Sequence, residues 1–285
     1  DGCENFCSYC IIPFVRGKCR SKRKEEVIKE ITSLIANGFS EIVLTGIHTG
    51  NYGRDLGLDF ATLLKEIVLI KGLKRLRISS IEITELTDEV LALLQDYPVI
   101  VDHLHVPLQS GSDRILKAMN RKYDTKYFKD KIMQIRKIRP QISITTDVIV
   151  GFPGETDDLW QETLETIRTI HFSKVHVFPY SRRTGTVAAR MDEQVDPLVK
   201  KARTKELLAL SKELEETYFQ QFLNQEVEVL IEKSHDGYSY GHTGNYLPIK
   251  LKGIYLSQTY VKGVIYRISY PYCEMEEEHT LIGVN

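Results

Sequence analysis

Two periods of hydrophobic residues alternate through the middle of the chain. Short apolar runs predict strands, and longer stretches with apolar residues at helical spacing predict helices between them. The predicted strands are 41–45, 73–79, 103–108, 142–150 and 174–178. The helices predicted between them are 60–71, 88–95, 113–119, 125–138 and 156–170. This alternation predicts βαβ units, a parallel sheet and a β/α barrel.

The pattern changes near Asn224, where the helical spacing ends. From residue 226 to 232, apolar side chains alternate with glutamates as in a half-buried strand, and further strands are predicted at 246–251 and 261–270. Before this change a long helix begins near Pro197, and its basic run around Arg203 is predicted to be a solvated face. We therefore predict two domains, an α/β domain over residues 1–222 and a small all-β barrel over residues 223–285.

Polar or glycine-rich loops follow four of the predicted strands, and they begin at Thr45, Pro107, Gly151 and Phe178. Each loop alone could be an ordinary turn, in which glycine and proline are expected. Barrels of this kind bind ligands at the carboxyl ends of their strands. Several such loops on one rim therefore predict a ligand-binding face.

Three of the five cysteines lie close together, at Cys3, Cys7 and Cys10. Three cysteines cannot all pair with one another, and only Cys19 and Cys273 remain as distant disulfide partners. A zinc site needs a fourth ligand, for which the sequence offers neither a second cysteine pair nor a spaced histidine pair. Three thiolates in one loop instead suit an iron–sulfur cluster in which one iron stays open to a small molecule.

Composition restricts the class of protein. Of the 285 residues, 42% are hydrophobic and 27% are charged, as in a globular protein. No apolar run approaches the ~18–20 residues of a membrane span and no signal-peptide pattern opens the sequence, so we expect no membrane partner. The few cysteines, concentrated in one loop, indicate a reducing compartment, and we expect a cytoplasmic location.

The net charge of −1 argues against a wholly basic nucleic-acid binder, but two segments can bind RNA locally. Residues 11–24 contain basic and no acidic side chains, which indicates either a solvated helix entry or a phosphate contact. Residues 238–246 combine tyrosines with glycines. These tyrosines either fill the core of the small barrel, which is the favoured interpretation, or stack on bases.

The spacing Cys3-x3-Cys7-x2-Cys10, with Tyr9 just before the last cysteine, resembles the cluster loop of radical S-adenosylmethionine (SAM) enzymes. Segments 2–17, 20–21, 107–112, 147–155 and 178–181 are similar to the methylthiotransferases among these enzymes. Residues 241–246 resemble that family's TRAM domain, which is an RNA-binding module. The resemblance covers nearly the whole chain. It implies a partial (β/α)6 TIM-like radical SAM barrel followed by a small all-β TRAM barrel.

By this resemblance, Cys3, Cys7 and Cys10 hold a 4Fe–4S cluster whose open iron binds SAM. Cleavage of SAM would supply a radical able to attack an unactivated C–H bond, so no catalytic side chain beyond the cluster ligands is expected. The residues expected to bind SAM are Tyr9, Thr45, Gly46, Gln109, Ser110, Val148, Gly151 and Phe178. The residues expected to bind RNA are Arg16, Arg20, Tyr240, His242, Asn245 and Tyr246.

Residues 44–50 look most like the MtaB branch of the methylthiotransferases. That resemblance implies methylthiolation at C2 of N6-threonylcarbamoyladenosine-37 in tRNA. The alternatives are the MiaB branch, which modifies isopentenyladenosine-37 in tRNA, and the RimO branch, which modifies a ribosomal protein. A further alternative is a non-catalytic iron–sulfur protein that binds RNA.

The family carries two features that would precede Asp1. One is the first barrel strand, and the other is a domain that holds a second 4Fe–4S cluster implicated in sulfur delivery. We expect both to lie upstream of this sequence, so this chain alone should cleave SAM without completing methylthiolation. The expected partners are tRNA and an electron donor such as a flavodoxin-type reductant.

Overall fold

The chain divides into two compact units, Asp1–Lys212 and Glu213–Asn285. The computed structural model describes residues 1–277, so residues 278–285 of the predicted small barrel lie outside the described part. Within the described residues, no helix combines the length and the apolar character that a membrane crossing requires.

The first unit alternates strands and helices as predicted. The α-helices described in the chain are α1 (Ile12–Arg16), α2 (Lys24–Ala36), α3 (Phe60–Ile67), α4 (Asp88–Asp96), α5 (Asp113–Ala118), α6 (Thr125–Ile138), α7 (Asp157–Ile170) and α8 (Pro197–Gln220). The strands of the first unit are β1 (Glu41–Leu44), β2 (Arg75–Ile78), β3 (His103–His105), β4 (Ser143–Val150) and β5 (Lys174–Pro179). Short 3-10 turns occur at Thr49–Asn51, Arg54–Leu56, Ile83–Glu85 and Ala188–Arg190.

All strand pairs of the first unit are parallel. β1 pairs with β2 in one sheet, and β3, β4 and β5 form a second sheet in that order. A parallel bridge between Leu76 and Ile100 brings the segment before β3 alongside β2. The predicted parallel β/α architecture is therefore confirmed, and the carboxyl ends of the strands carry the polar loops.

Side-chain caps fix where several of the helices begin. Asp59, Thr87, Asp124 and Thr156 each precede a helix and accept a hydrogen bond from a backbone N–H in its first turn. Those N–H groups have no partner within the helix, and one such cap contributes about 1 kcal/mol. The strand-to-helix connections are thus defined locally.

The second unit contains a closed barrel with the strand order β10-β8-β7-β6-β9, and the predicted small all-β barrel is confirmed. Its strands are β6 (Glu226–His235), β7 (Tyr238–Thr243), β8 (Pro248–Lys252), β9 (Tyr260–Ser269) and β10 (Tyr272–Glu277). The sequence did not predict β7 because its inward positions are the small residues Ser239, Gly241 and Thr243. A Cβ on Gly241 would lie 1.9 Å from the Leu230 carbonyl oxygen, so the neighbouring strand leaves no room for a larger residue.

The core of this barrel is mostly aliphatic and includes Val229, Ile249 and Leu251. Tyr218 and Phe219, from the last turn of α8, pack into the same core. The second unit therefore begins inside α8, whereas the domain boundary predicted from the sequence lies after the helix, at residue 222.

Candidate functional site

The cysteine loop has no regular secondary structure and is positioned by hydrogen bonds to other segments. Buried Ser8 is its main anchor. The Ser8 amide donates to the Met119 carbonyl at 3.0 Å, and its hydroxyl donates to the Ala118 carbonyl at 2.8 Å. The Ser8 carbonyl accepts from the Ala188 amide at 2.8 Å. The loop is thereby fixed between the end of α5 and the 3-10 turn Ala188–Arg190.

Cys3, Cys7 and Cys10 are free, half-buried thiols. Burial acts to raise the pKa of Cys3, but hydrogen bonds from His48 and the Asn5 amide outweigh it, so the pKa is lowered. Burial raises the pKa of Cys10, and the nearby charges of Cys7 and Cys3 raise it further. Cys7 and Cys3 thus lie within electrostatic reach of Cys10.

The donor set fits a cluster better than a single metal ion. Among residues 1–277, no group of three or more His, Cys, Asp or Glu side chains is arranged to hold one ion. A single Zn²⁺ requires all its sulfur ligands about 2.3 Å from one point. A 4Fe–4S cluster takes each thiolate on a different iron and so accepts more widely spaced sulfurs. Cys3, Cys7 and Cys10 supply three thiols in one loop, and thiolate is the ligand that such clusters use.

Charged side chains approach two of these sulfurs. Arg121 Nη1 donates to Cys7 Sγ at 3.3 Å, and the Arg121 guanidinium also pairs with Glu82. His48 Nδ1 lies 3.7 Å from Cys3 Sγ, and its Nε2 pairs with Glu85. Burial acts to lower the pKa of His48, but its bonds to Cys3 and Glu85 outweigh it and raise the pKa to about 10.

Sequence reasoning missed Arg121, Glu82 and Glu85, and it gave His48 no role. Arg121 lies 114 residues from Cys7 along the chain. No local period or spacing signals so distant a contact. The sequence does show that these residues lie in loops just beyond a strand or a helix, near the carboxyl ends of the strands.

Tyr9, a predicted SAM contact, packs against a buried hydrophobic cluster next to the cysteine loop. Its ring meets Phe152 edge-on with the centroids 6.4 Å apart, and it contacts a buried cluster that includes Met119 and Leu159. Burial raises the pKa of Tyr9 well above its ordinary value, so the phenol stays protonated. Tyr9 thus links the cysteine loop to the loop that follows β4.

Thr45 and Gly46, also predicted SAM contacts, are exposed and directly follow β1. Both line a cavity of about 330 Å³, which is also bordered by Cys19 and His48. Through His48 the wall of this cavity contacts Cys3.

Gln109 and Val148 are brought together by the backbone. The Gln109 amide donates to the Asp147 carbonyl at 2.8 Å, and the Gln109 carbonyl accepts from the Ile149 amide at 2.9 Å. Gln109 adopts a φ of 66°, which turns the chain away from the sheet at this point. The Val148 side chain is buried, so any contact with a ligand here would involve the backbone.

Ser110 is fully buried, although it was predicted to bind SAM. Its hydroxyl lies 3.3 Å from Thr163 Oγ1 on α7 and accepts from the Ser112 amide at 3.3 Å. These contacts secure the loop against α7. The assignment of Ser110 as a SAM contact stays a prediction, and the geometry adds nothing to it.

The loop from Gly151 to Glu155 is closed by a buried ion pair. The Glu155 carboxylate accepts from the Gly151 amide at 2.9 Å and from Arg203 Nη1 at 2.7 Å. Arg203 Nη1 also donates to the Glu155 carbonyl, and Nη2 donates to Asp157 at 2.6 Å. Burial raises the pKa of Glu155, which opposes its bonds to Gly151 and Arg203.

The prediction that Arg203 belongs to a solvated helix face is wrong, since its side chain is only 6% exposed. The sequence shows a run of basic residues along α8, but it does not show which of these side chains is buried. Gly151 itself has a φ of 72°, and a Cβ there would collide with the Lys200 side chain, so the loop and α8 fit closely.

Phe178, a predicted SAM contact, lies on β5 opposite Ile149 and remains 51% exposed.

The predicted RNA contacts of the first unit, Arg16 and Arg20, are both exposed. Each lies near the Asp1 carboxylate, at 3.7 Å and 3.4 Å respectively. Exposed ion pairs of this kind contribute little stability. Both guanidinium groups therefore remain accessible at the surface.

In the second unit, alternate residues of β7 turn outward, namely Tyr238, Tyr240 and His242. The Tyr240 ring stacks on His235 with the centroids 4.6 Å apart, and Lys250 Nζ lies 4.2 Å from the Tyr238 ring centre. The favoured interpretation, in which these tyrosines fill the barrel core, is therefore wrong. They form an outer aromatic and basic surface.

The remaining predicted RNA contacts lie at the end of β7 and just beyond it. His242 stacks on Tyr246 with the centroids 4.6 Å apart, and its Nδ1 lies 2.7 Å from Glu232 Oε1. Tyr246 is 47% exposed. The Asn245 amide instead donates to the Tyr218 hydroxyl at 3.1 Å, a contact that stabilises the turn.

Comparison with known proteins places this geometry in context. Residues 1–167 match the family model described as the Radical SAM superfamily. The chain is 46% identical over 282 residues to the Threonylcarbamoyladenosine tRNA methylthiotransferase MtaB of Bacillus subtilis (strain 168), covering 96% of this chain and 62% of that protein. It is 43% identical over 233 residues to a tRNA-2-methylthio-N(6)-dimethylallyladenosine synthase of Desulfitobacterium hafniense (strain Y51), covering 81% and 52% respectively.

Among solved structures, coproporphyrinogen III oxidase (HemN) from Escherichia coli, which is described as a radical SAM enzyme, resembles the chain with a TM-score of 0.54. The match covers 92% of this chain and 64% of that one at 15% identity, so it shows the fold alone. The chain spans between 52% and 62% of the length of the two curated relatives.

We expect Arg203→Met to lower the free energy of unfolding of the first unit by about 3–5 kcal/mol, because Glu155 would remain buried without its cation. Lys205→Met, at an exposed position on the same helix, should stay within about 0.5 kcal/mol. Adding Glu155→Gln to Arg203→Met should recover part of the loss. Chemical denaturation followed by the fluorescence of Trp160, the single tryptophan, measures all three. Equal losses in the two single variants would contradict the buried-pair interpretation.

Proposed function

Because the chain belongs to the radical SAM superfamily, we propose that Cys3, Cys7 and Cys10 hold a 4Fe–4S cluster and that the adjoining rim binds SAM. The observation that carries this proposal is the set of three neighbouring, half-buried free thiols anchored at the carboxyl-end rim. When bound, the reduced cluster and SAM supply reductive cleavage of a carbon–sulfur bond, which is chemistry that no side chain can provide.

In this proposal, the residues of the chain bind SAM and orient it against the cluster. The Gln109 side chain and the Gly151 carbonyl are the best candidates for polar contacts with SAM, because both residues lie where strand pairing ends and their backbone amides already donate to Asp147 and Glu155. Tyr9 closes the apolar wall below the cysteines, and exposed Phe178 offers a ring to a flat ligand. Thr45 and Gly46, at the end of β1, suit the methionine moiety. Together these groups would exclude water from the reacting atoms.

We propose that the substrate is N6-threonylcarbamoyladenosine-37 of tRNA, and that a methylthio group is added at its C2. The similarity to the Bacillus subtilis protein named for this activity supports the proposal. The relatives named as dimethylallyladenosine synthases keep the isopentenyladenosine substrate as the alternative. A ribosomal-protein substrate of the RimO type is the more distant alternative.

Complete methylthiolation also needs a source of sulfur. We propose that a second 4Fe–4S cluster delivers it, and the Bacillus subtilis relative has residues beyond the 62% of its length that the match covers. Reduction of the cluster would need an electron donor, for which a flavodoxin-type reductant is suitable. Both tRNA and reduced thiolates are found in the cytoplasm, and we propose that the protein acts there.

We further propose that the outer surface of β7 binds the tRNA. Exposed aromatic rings stack on bases without needing a particular sequence, and nearby lysines attract phosphates. Tyr240 with His235, and Tyr246 with His242, already form stacked pairs of this kind. Arg16 and Arg20 would add phosphate contacts from the first unit.

Replacing any one of Cys3, Cys7 and Cys10 by alanine should lower the bound iron and abolish the release of 5′-deoxyadenosine from SAM. Cys273→Ala, outside the spacing and in the second unit, should keep both. Anaerobic reconstitution, iron and sulfide analysis and chromatography of the products measure these outcomes. An intact cluster that leaves SAM uncleaved would instead favour a non-catalytic iron–sulfur protein that binds RNA.

Nucleoside mass spectrometry of tRNA tests the substrate. In a strain that lacks the full-length protein, we expect N6-threonylcarbamoyladenosine to lose its methylthio group while the unmethylthiolated nucleoside persists. Loss of the group from isopentenyladenosine would move the substrate to the alternative. Restoration by the full-length gene is the control.

Tyr240→Ala should weaken tRNA binding by about 1–3 kcal/mol, because one stacking ring is lost. Tyr266→Ala provides the control, since Tyr266 is an exposed tyrosine of the same barrel that lies on β9 and whose hydroxyl donates to Glu274. Fluorescence anisotropy with labelled tRNA at fixed salt compares the two variants. A similar loss in both variants would argue against a role specific to β7.

A further inference from the structure

The turn Ile83–Glu85 holds the Glu82 carboxylate in one place. Glu82 and Glu85 cap each other, because each side chain accepts from the backbone amide of the other. The Glu82 side chain is 18% exposed and the Glu85 side chain 8%. Glu82 is thus a carboxylate of fixed position beside the cysteine loop.

Glu82 in turn fixes Arg121. The Arg121 side chain is only 4% exposed, and its three nitrogens have three different partners. Nη2 pairs with Glu82, Nε donates to the Tyr123 hydroxyl at 3.2 Å, and Nη1 donates to Cys7 Sγ at 3.3 Å. Tyr123 itself donates to the Pro107 and Leu108 carbonyls, both at 2.9 Å. A guanidinium with so many partners has little freedom to move away from the sulfur.

A cation that donates to a thiolate changes the properties of an attached cluster. Reduction adds negative charge, and a hydrogen bond to a ligating sulfur stabilises the more negative state. Arg121 would therefore raise the reduction potential, whereas Glu82, behind it, would partly offset the positive charge. The two residues act with opposite sign on one atom.

We propose that Arg121, held by Glu82, is a positioning residue that donates a hydrogen bond to the Cys7 sulfur and raises the reduction potential of the cluster bound there. The inference rests on the proposed cluster at Cys3, Cys7 and Cys10. It assigns to Arg121, which follows α5, and to Glu82, which follows β2, an influence on the reduction potential of that cluster.

The test compares Arg121→Met and Glu82→Gln with the parent chain, each reconstituted anaerobically. Glu41→Gln is the matched control, because Glu41 forms a comparably buried pair with Arg77 at the start of β1, away from the cysteines. Chemical analysis gives the iron and sulfide content of each variant. An anaerobic redox titration without SAM, followed by electron paramagnetic resonance, gives the midpoint potential of the cluster.

Arg121→Met should lower the ratio of reduced to oxidised cluster at a given solution potential about tenfold, a shift of about 59 mV to more negative values. Glu82→Gln should shift the midpoint in the opposite direction, and Glu41→Gln should leave it unchanged. A purely structural role would instead give loss of iron in both variants without opposite shifts.

An unchanged midpoint in a fully loaded Arg121→Met variant would overturn the proposal and leave the proposed function intact. The same holds if that variant only weakens SAM binding, which would make Arg121 a SAM contact. If Arg121→Met loses its iron, the isosteric Glu82→Gln decides, and an unchanged midpoint in that variant overturns the proposal. A parent chain that assembles no cluster would overturn the proposal and the proposed function together.

Discussion

The hydrogen bonds between Ser8 and the end of α5 are the constraint on which the cysteine loop depends. The last carbonyl groups of a helix have no partner within it, and here the Ala118 and Met119 carbonyls accept from the Ser8 hydroxyl and amide. The loop has no regular secondary structure of its own, so its contacts with the rest of the first unit determine where its thiols lie. A helix end also carries partial negative charge, which disfavours thiolates nearby. Arg121, just beyond α5, places a positive charge next to the Cys7 sulfur.

A second loop at the same rim is held by a different kind of interaction. The chain from Gly151 to Glu155 folds back on itself through one carboxylate, which is nearly inaccessible to water. Burying Glu155 and Arg203 is costly, and such a pair is weak support for stability on its own. Its value here is geometric, because the guanidinium joins Glu155, the Glu155 carbonyl and Asp157 at one point. The backbone of the loop is therefore pre-organised before any ligand arrives.

Much of this arrangement could be predicted from local patterns, and the part that could not has a common physical cause. Strand and helix positions follow from hydrophobic period, and the three cysteines from their spacing. Arg203 and Arg121 were missed because burial of a charged side chain depends on partners 39 to 114 residues away. Ser110 shows the converse, since a polar residue in a rim loop can be buried against a helix. Local sequence thus predicts where a loop lies, whereas the contacts of its side chains depend on distant packing.

The outer surface of the small barrel follows from the same dependence on packing. Ser239 and Gly241 are small because the neighbouring strands approach closely, and the alternation along β7 then forces Tyr238, Tyr240 and His242 outward. Rings that already stack in pairs have lost part of their rotational freedom before binding. A base that joins such a stack therefore incurs less ordering cost than one that must immobilise a free ring. The close packing inside the barrel and the aromatic surface outside it are two results of one strand pattern.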